Sequence, residues 1–321
     1  MPAIPQHLCC IGILLFPGAS RGILRGIKKP AIRVADAGYS LTTNRCNMSE
    51  LYFTTTPCTG KRKIKQGQSD GTEFKERRLG ALFYINLKIS KSYFLRSRAY
   101  FHFDLYAGSG YNEEVGCIGS PLAFLKAVED SDRTNFYAHF VEKDPLSCDK
   151  LARRLAASKY PDRCFLHPGD NADFIEAIPH LISCRNQRPS NAVGSILIDP
   201  NGHNIPWDQL AEISRLCPKL DMFFNYNTTI AKRLAGLVVN IYRGKLVRLE
   251  TIPEHINKTH VQLATPTGTR NQFVLMACRN FRVGDYAKLG IYHWHSEEGK
   301  SIRYRYGLSK KEKNVNQGAL L

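Results

Sequence analysis

Four short stretches put carboxylates, amides and glycines where they could hold a ligand and act on it: DLYAGSG at 104–110, VEKD at 141–144, PGDN at 168–171 and IDPNG at 198–202. Each is the end of an apolar run of strand length. A glycine-rich turn lets backbone approach a bound molecule, and an acid at the tip of the next strand can accept bonds from ribose hydroxyls. On this reading Asp104, Ala107, Gly108 and Gly110 surround one end of a nucleotide-like cofactor. Glu142 takes its ribose, and Asp170 with Asn171 takes its adenine.

The spacing selects among cofactors. A dinucleotide fingerprint needs a third glycine three positions after the second, where a helix N-terminus meets the pyrophosphate. That position holds Glu113. S-adenosylmethionine carries no phosphate, so Glu113 and Glu114 are no obstacle to it. This makes S-adenosylmethionine the expected cofactor and a nicotinamide oxidoreductase a distant alternative.

The fourth tip is the expected reaction centre: Asp199, Pro200 and Asn201. A carboxylate and the carbonyl of the next residue could accept the two N–H bonds of a substrate amino group and turn its lone pair toward the cofactor. That is catalysis by positioning. A base in a duplex would first have to be flipped out. His203 and Trp207 could offer a stacking face, although Trp207 reads better as packing beneath a sheet. His293 and His295 lie two apart, but without further ligands an exposed strand face is the better reading than a metal site.

The elements that would carry these tips alternate. Strands are expected at 100–107, 136–141, 163–166, 193–198, 220–226 and 272–277, and helices at 120–128, 146–158, 172–183, 207–216 and 228–237. Strand after helix after strand implies an α/β fold, with a doubly wound, mostly parallel sheet of Rossmann-like type and helices on both faces. Ser120 is the expected N-cap of the first of those helices and Asp144 that of the second.

Lys and Arg number 45 against 28 Asp and Glu, a formal net charge of +17, which points to a polyanionic partner, most often nucleic acid. Residues 61–98 hold eleven basic residues against three acids. The RYRY stretch at 303–306 fits either phosphate contact with base stacking or a half-exposed edge strand. Ten cysteines form no CxxC pair, which argues against a thiolate zinc site and for reduced thiols in a cytoplasmic protein. No apolar run is long enough to cross a membrane.

Composition divides the chain into an atypical segment at 1–47, a basic extension at 48–99, the Rossmann-like domain at 100–284 and a basic tail at 285–321. The first segment has six basic residues and one acid. It is expected to lie ahead of a true start at Met48, and a transit peptide is the alternative. Without it the chain keeps +12 of its +17, so the polyanion argument stands.

DLYAGSG, GSPLAFLKA, FVEKDP, GDN, DPNGHNIPWDQL and QFVLMACRN together resemble the three-Cys-motif partner protein family, over residues 100–284. The resemblance implies a methyltransferase-like Rossmann fold, S-adenosylmethionine as cofactor and a separate cysteine-motif protein as partner. It puts Asp104, Gly108 and Gly110 on the methionine part, Glu142 on the ribose and Asp170 on the adenine. Asp199 and Pro200 resemble the start of the motif of amino-methylating nucleic-acid enzymes, but Asn201 and Gly202 replace its second proline and aromatic. The leading function is therefore a methyltransferase acting on an exocyclic amine of nucleic acid. The alternatives are a non-catalytic module that binds nucleic acid or a partner, and a methyltransferase acting on protein or a small molecule.

Overall fold

The computed structural model describes residues 72–93, 98–113, 116–200, 205–227, 249–264, 273–281 and 286–307. Helix α1 (Thr72–Tyr93) precedes the central strand β1 (Tyr100–Asp104), and a small antiparallel hairpin, β2 (Tyr111–Asn112) and β3 (Cys117–Ile118), follows it. Helix α2 (Ser120–Ser131), β4 (Phe136–Glu142), α3 (Pro145–Ala156), β5 (Cys164–Pro168) and α4 (Asn171–Ser183) come next. The chain then builds β6 (Val193–Ile198), α5 (Trp207–Leu216), β7 (Leu220–Asn227), α6 (Ile252–His255), β8 (His260–Ala264), β9 (Phe273–Arg279), β10 (Tyr292–His293) and α7 (Glu297–Gly307).

Among the described residues one eight-stranded sheet runs in the order β10-β8-β9-β7-β6-β1-β4-β5. Strands β5, β4, β1, β6 and β7 are mutually parallel, and β9 runs antiparallel between β7 and β8. From β1 the chain first fills one side with β4 and β5, then crosses to the other with β6 and β7. The strand order therefore reverses between β1 and β6, and a crevice opens over their carboxyl ends. The expected fold class holds.

The reason lies in the strand sequences. All five residues of β1 are buried, as a strand covered on both faces requires. Phe101 and Phe103 point to the face covered by α4 and α5, with Ile175, Ile178, Leu210 and Ile213. Tyr100 and Phe136 join the other face, against α1 and α2. That second face depends on α1: Phe83 lies edge-on to Phe124 at 5.5 Å and to His102 at 5.0 Å.

Two segments assigned by composition are therefore not appendages. The stretch 48–99 contains α1, whose Leu79, Leu82, Phe83 and Leu87 are core residues. The stretch 285–321 contributes β10, which pairs with β8, and α7, whose Ile302 is buried. Basic residues hid the apolar stripe of α1. The RYRY run is not an edge strand: it falls within α7, where the Arg303 guanidinium stacks 4.6 Å above Trp294. Ser120 is the first residue of α2 and not its cap, which is Gly119, whereas Asp144 caps α3 by accepting from the Ser147 amide. The expected helix at 228–237 lies outside the described residues.

Two buried histidines, His102 and His139, and the half-buried His167 carry a consequence for stability. His102 stacks on Phe124 at 3.9 Å, and His139 bonds His167 at 2.9 Å. Burial lowers His102 to about 3 and His167 to about 4, and it lowers His139 well below the ordinary value, helped by His167 and Arg185. Unfolded histidine titrates near 6.5, so between that pH and the folded values the unfolded chain holds the extra protons. Stability must then fall as pH drops through this window, by about 1.4 kcal/mol per pH unit for each histidine. Asp221, raised to about 6 by burial, titrates in the opposite sense. Comparing urea unfolding of wild type and His102→Phe between pH 6.5 and 4 isolates one term. The variant's slope should be shallower by one proton, and parallel slopes would mean His102 is not held neutral.

Candidate active site

The turn after β1 is built from below. Asp104 is fully buried and accepts from the Tyr106 amide at 3.1 Å and the Ser120 hydroxyl at 2.6 Å. It therefore braces the turn from below, one carboxylate oxygen on each of these two donors. Ala107 is also buried, and its N–H is spent on the Val141 carbonyl at 2.9 Å. It fixes the turn to β4 and does not face the crevice with a donor.

The two glycines differ. Both have positive φ, +60° at Gly108 and +80° at Gly110, which other residues adopt at a cost. A Cβ on Gly110 would lie 2.9 Å from Leu151 of α3, and Gly110 O also accepts from the Gly119 amide at 2.8 Å. The side of Gly110 on which a Cβ would sit is thus packed against α3. A Cβ on Gly108 would meet nothing within 4 Å. Gly108 faces open space.

Beside that space stands Glu142, half-buried at the tip of β4. One carboxylate oxygen accepts from the Gly108 amide at 2.8 Å and the other from the Asp144 amide at 2.8 Å. Each oxygen has a second lone pair, so the group can still accept hydroxyl donors. Asp144 caps α3, and Arg154 of that helix bonds the Ser109 carbonyl, pairs with Glu113 at 3.1 Å and lies over Tyr111 at 5.5 Å. Glu113, where a third glycine was missing, is turned toward Lys150 and Arg154, which together hold its carboxyl below the ordinary value. The nearby Cys148 thiol is pushed up, mainly by burial and further by Glu142 and Asp144, so it is a poor nucleophile.

Tyr106 links the other tips. Its phenol bonds the Asn171 side chain and feels the charges of Asp170 and Asp199. Burial, above all, pushes its proton's loss far above the ordinary value, the bond to Asn171 works against this, and the two carboxylates add to it. The O–H therefore stays a donor at neutral pH. Asp170 caps α4 by accepting from the Ala172 amide at 2.9 Å, yet it remains exposed. At the tip of β6, Asp199 is half-buried and Pro200 buried. Asn225 of β7 donates to Asp199 Oδ1 at 2.6 Å. Asn201 and His203 lie outside the described residues. Trp207 packs on Phe224 at 5.6 Å, as its core reading anticipated.

The structure thus gathers Gly108, Glu142, Asp170, Asn171 and Asp199 at one end of the sheet. Tyr106, Arg154 and Asn225 were missed by the sequence reading. Tyr106 lies inside the glycine motif, and the polar FNYN ending of β7 is the same strand-tip signal that marked the other four. Among the described residues no cluster of His, Cys, Asp or Glu could hold a metal ion. His293 ends β10 and His295 sits in the turn after it, their rings 5.7 Å apart.

No protein-family model matches the sequence, and no curated protein is similar to it. Among solved structures, the DszA carbon methyltransferase is 13% identical with a TM-score of 0.43, covering 68% of this chain and 56% of its own. A methyltransferase from Geobacter sulfurreducens is 15% identical with a TM-score of 0.35, covering 66% and 89%. The METTL16 methyltransferase domain is 10% identical with a TM-score of 0.38, covering 65% and 67%. The likeness extends no further than the arrangement of sheet and helices described above.

Separate outcomes are expected for the two glycines. Gly108→Val should fold, with strain of roughly 1–2 kcal/mol from its left-handed backbone, and lose S-adenosylmethionine binding in equilibrium dialysis. Gly110→Ala should instead lower the melting temperature through its clash with Leu151. A folded Gly108→Val protein with undiminished affinity would place the ligand elsewhere.

Proposed function

We propose that this protein is an S-adenosylmethionine-dependent methyltransferase that modifies an amino group on nucleic acid. The observation that carries the reading is the open space over Gly108, bordered by the Glu142 carboxylate at the reversal of the strand order. A nucleoside needs a place where backbone yields room and a carboxylate waits for its ribose hydroxyls, and these residues fit one.

The backbone of Gly108 and Gly110 lines the methionine part, with Asp104 and Ala107 holding the turn in shape. Glu142 accepts from the ribose hydroxyls, and Asp170 and Asn171 lie toward the adenine. When bound, S-adenosylmethionine supplies a methyl group on a positively charged sulfur. Asp199, Pro200 and Asn201 then orient the acceptor: the Asp199 carboxylate takes an N–H bond and aims the nitrogen lone pair. Tyr106 keeps its proton and donates within the site, excluding water beside Asp199.

Nucleic acid as the bearer is supported by the net charge of +17. The resemblance of 100–284 to the three-Cys-motif partner family supports a separate cysteine-motif protein as partner. Described cysteines 117, 148, 164, 184, 217 and 278 are all free thiols, which favours a reducing compartment such as the cytoplasm. No helix is long and apolar enough to cross a membrane.

Transfer of a tritiated methyl group from S-adenosylmethionine to total RNA and to denatured DNA tests this reading. Asp199→Ala should keep cofactor affinity within about twofold while transfer falls on the order of 10²-fold or more, the scale of a lost positioned acid or base. Cofactor binding without transfer to either polymer by the wild type would favour the non-catalytic binding module.

A further inference from the structure

Asn225 is the third residue from the end of β7, and the register pairs its neighbour Phe224 with Ile198, so Asn225 and Asp199 are adjacent at the strand tips. Its side-chain nitrogen donates to Asp199 Oδ1 at 2.6 Å. Its side-chain oxygen is buried and has no hydrogen-bond partner among the described residues. A buried acceptor left unpaired costs about 1–3 kcal/mol, and native proteins retain few of them.

Rotation of the amide cannot relieve this. It would set the Asn225 oxygen against the Asp199 carboxylate, acceptor against acceptor, and forfeit the bond to Nδ2. Asp199 therefore fixes which way the carboxamide faces, and the unpaired oxygen is held beside the proposed reaction centre. Only a donor inserted at the strand tips can satisfy it.

We propose that Asn225 belongs to the methyl-acceptor site, holding Asp199 through Nδ2 and accepting at Oδ1 a second N–H of a primary amino group. This rests on the reading of Asp199 as the amine-orienting residue, and it narrows the substrate class. A primary amine brings two protons, one for Asp199 and one for Asn225, which takes the place of the Pro200 carbonyl that the sequence pattern suggested. A hydroxyl brings one and leaves an acceptor orphaned, a penalty that lets hydrogen-bonding sites reject the wrong group strongly. The pair selects –NH2 over –OH.

The test uses the full chain with total RNA and denatured DNA as probes, tritiated S-adenosylmethionine as donor, and mass spectrometry of the methylated nucleosides. Asn225→Ala should lower kcat/KM by about 10²-fold, with cofactor affinity within about twofold and melting temperature near wild type. Asn225→Asp keeps an acceptor but sets two carboxylates side by side, which must share a proton. Its activity should be weak at pH 8 and recover toward pH 6, a pH profile that a merely structural asparagine would not produce. Methylation should fall on nitrogen. The proposal is overturned by undiminished turnover in Asn225→Ala, by loss of cofactor affinity in step with turnover, or by methylation on oxygen. It is also overturned if a crystal structure shows an ordered water satisfying Oδ1 in the complex with nucleic acid. A wild-type protein that labels neither polymer overturns the nucleic-acid reading and this proposal with it, before any variant is made.

Discussion

One hydrogen bond ties the candidate site together: the Gly108 amide to the Glu142 carboxylate, 2.8 Å, from the turn after β1 to the tip of β4. The bond has consequences in both directions. The other Glu142 oxygen receives the Asp144 amide, and Asp144 in turn caps α3. That helix returns to the turn through Arg154 on the Ser109 carbonyl and Leu151 against Gly110. The turn, the strand tip and the helix form a closed circuit in which each fixes the next. A carboxylate that accepts from two amides is a charge-assisted anchor, stronger than a neutral bond, and each of its oxygens keeps a second lone pair.

The two ends of the sheet treat charge differently. At the amino end of β7, Asp221 and Arg279 pair at 2.9 Å with side chains 2% and 1% exposed, and Arg279 also bonds Gln262. Lys258 is spent on the Pro218 and Leu220 carbonyls. Buried charges survive only when paired and hydrogen-bonded, and this cluster staples the antiparallel strands to the parallel ones. At the carboxyl end, Glu142, Asp170 and Asp199 are half-buried or exposed. Their bonds to amides and to Asn225 set direction without consuming every lone pair. The closed end is built for cohesion, the open end for recognition.

Strand sequences made most of the fold legible. The runs at 136–141, 193–198 and 220–226 are mostly apolar on both faces, as a covered parallel strand is, and each lies within an observed strand or spans it. Helix α1 was not legible, because charged residues dilute its stripe and only packing against α2 shows which side is apolar. Strand β8 was missed because HVQLA carries Gln262, a polar residue buried only by virtue of Arg279. At the site, the tips themselves were readable, but the division of labour was not. The bracing bonds of Asp104 to Tyr106 and Ser120 could not be read from the glycine motif, and the two glycines looked alike although one packs and one opens. These differences arise from three-dimensional neighbours such as Ser120 and Leu151, which sequence spacing does not bring together.

The central claim is that the crevice over β1 and β6 accepts S-adenosylmethionine because of the room at Gly108 and the carboxylate beside it. Calorimetric titration of the protein with S-adenosylmethionine, and separately with NAD, tests it most directly. The account predicts saturable one-to-one binding of S-adenosylmethionine in the micromolar range and no heat of binding from NAD. Binding of NAD alone, or of neither, would contradict it.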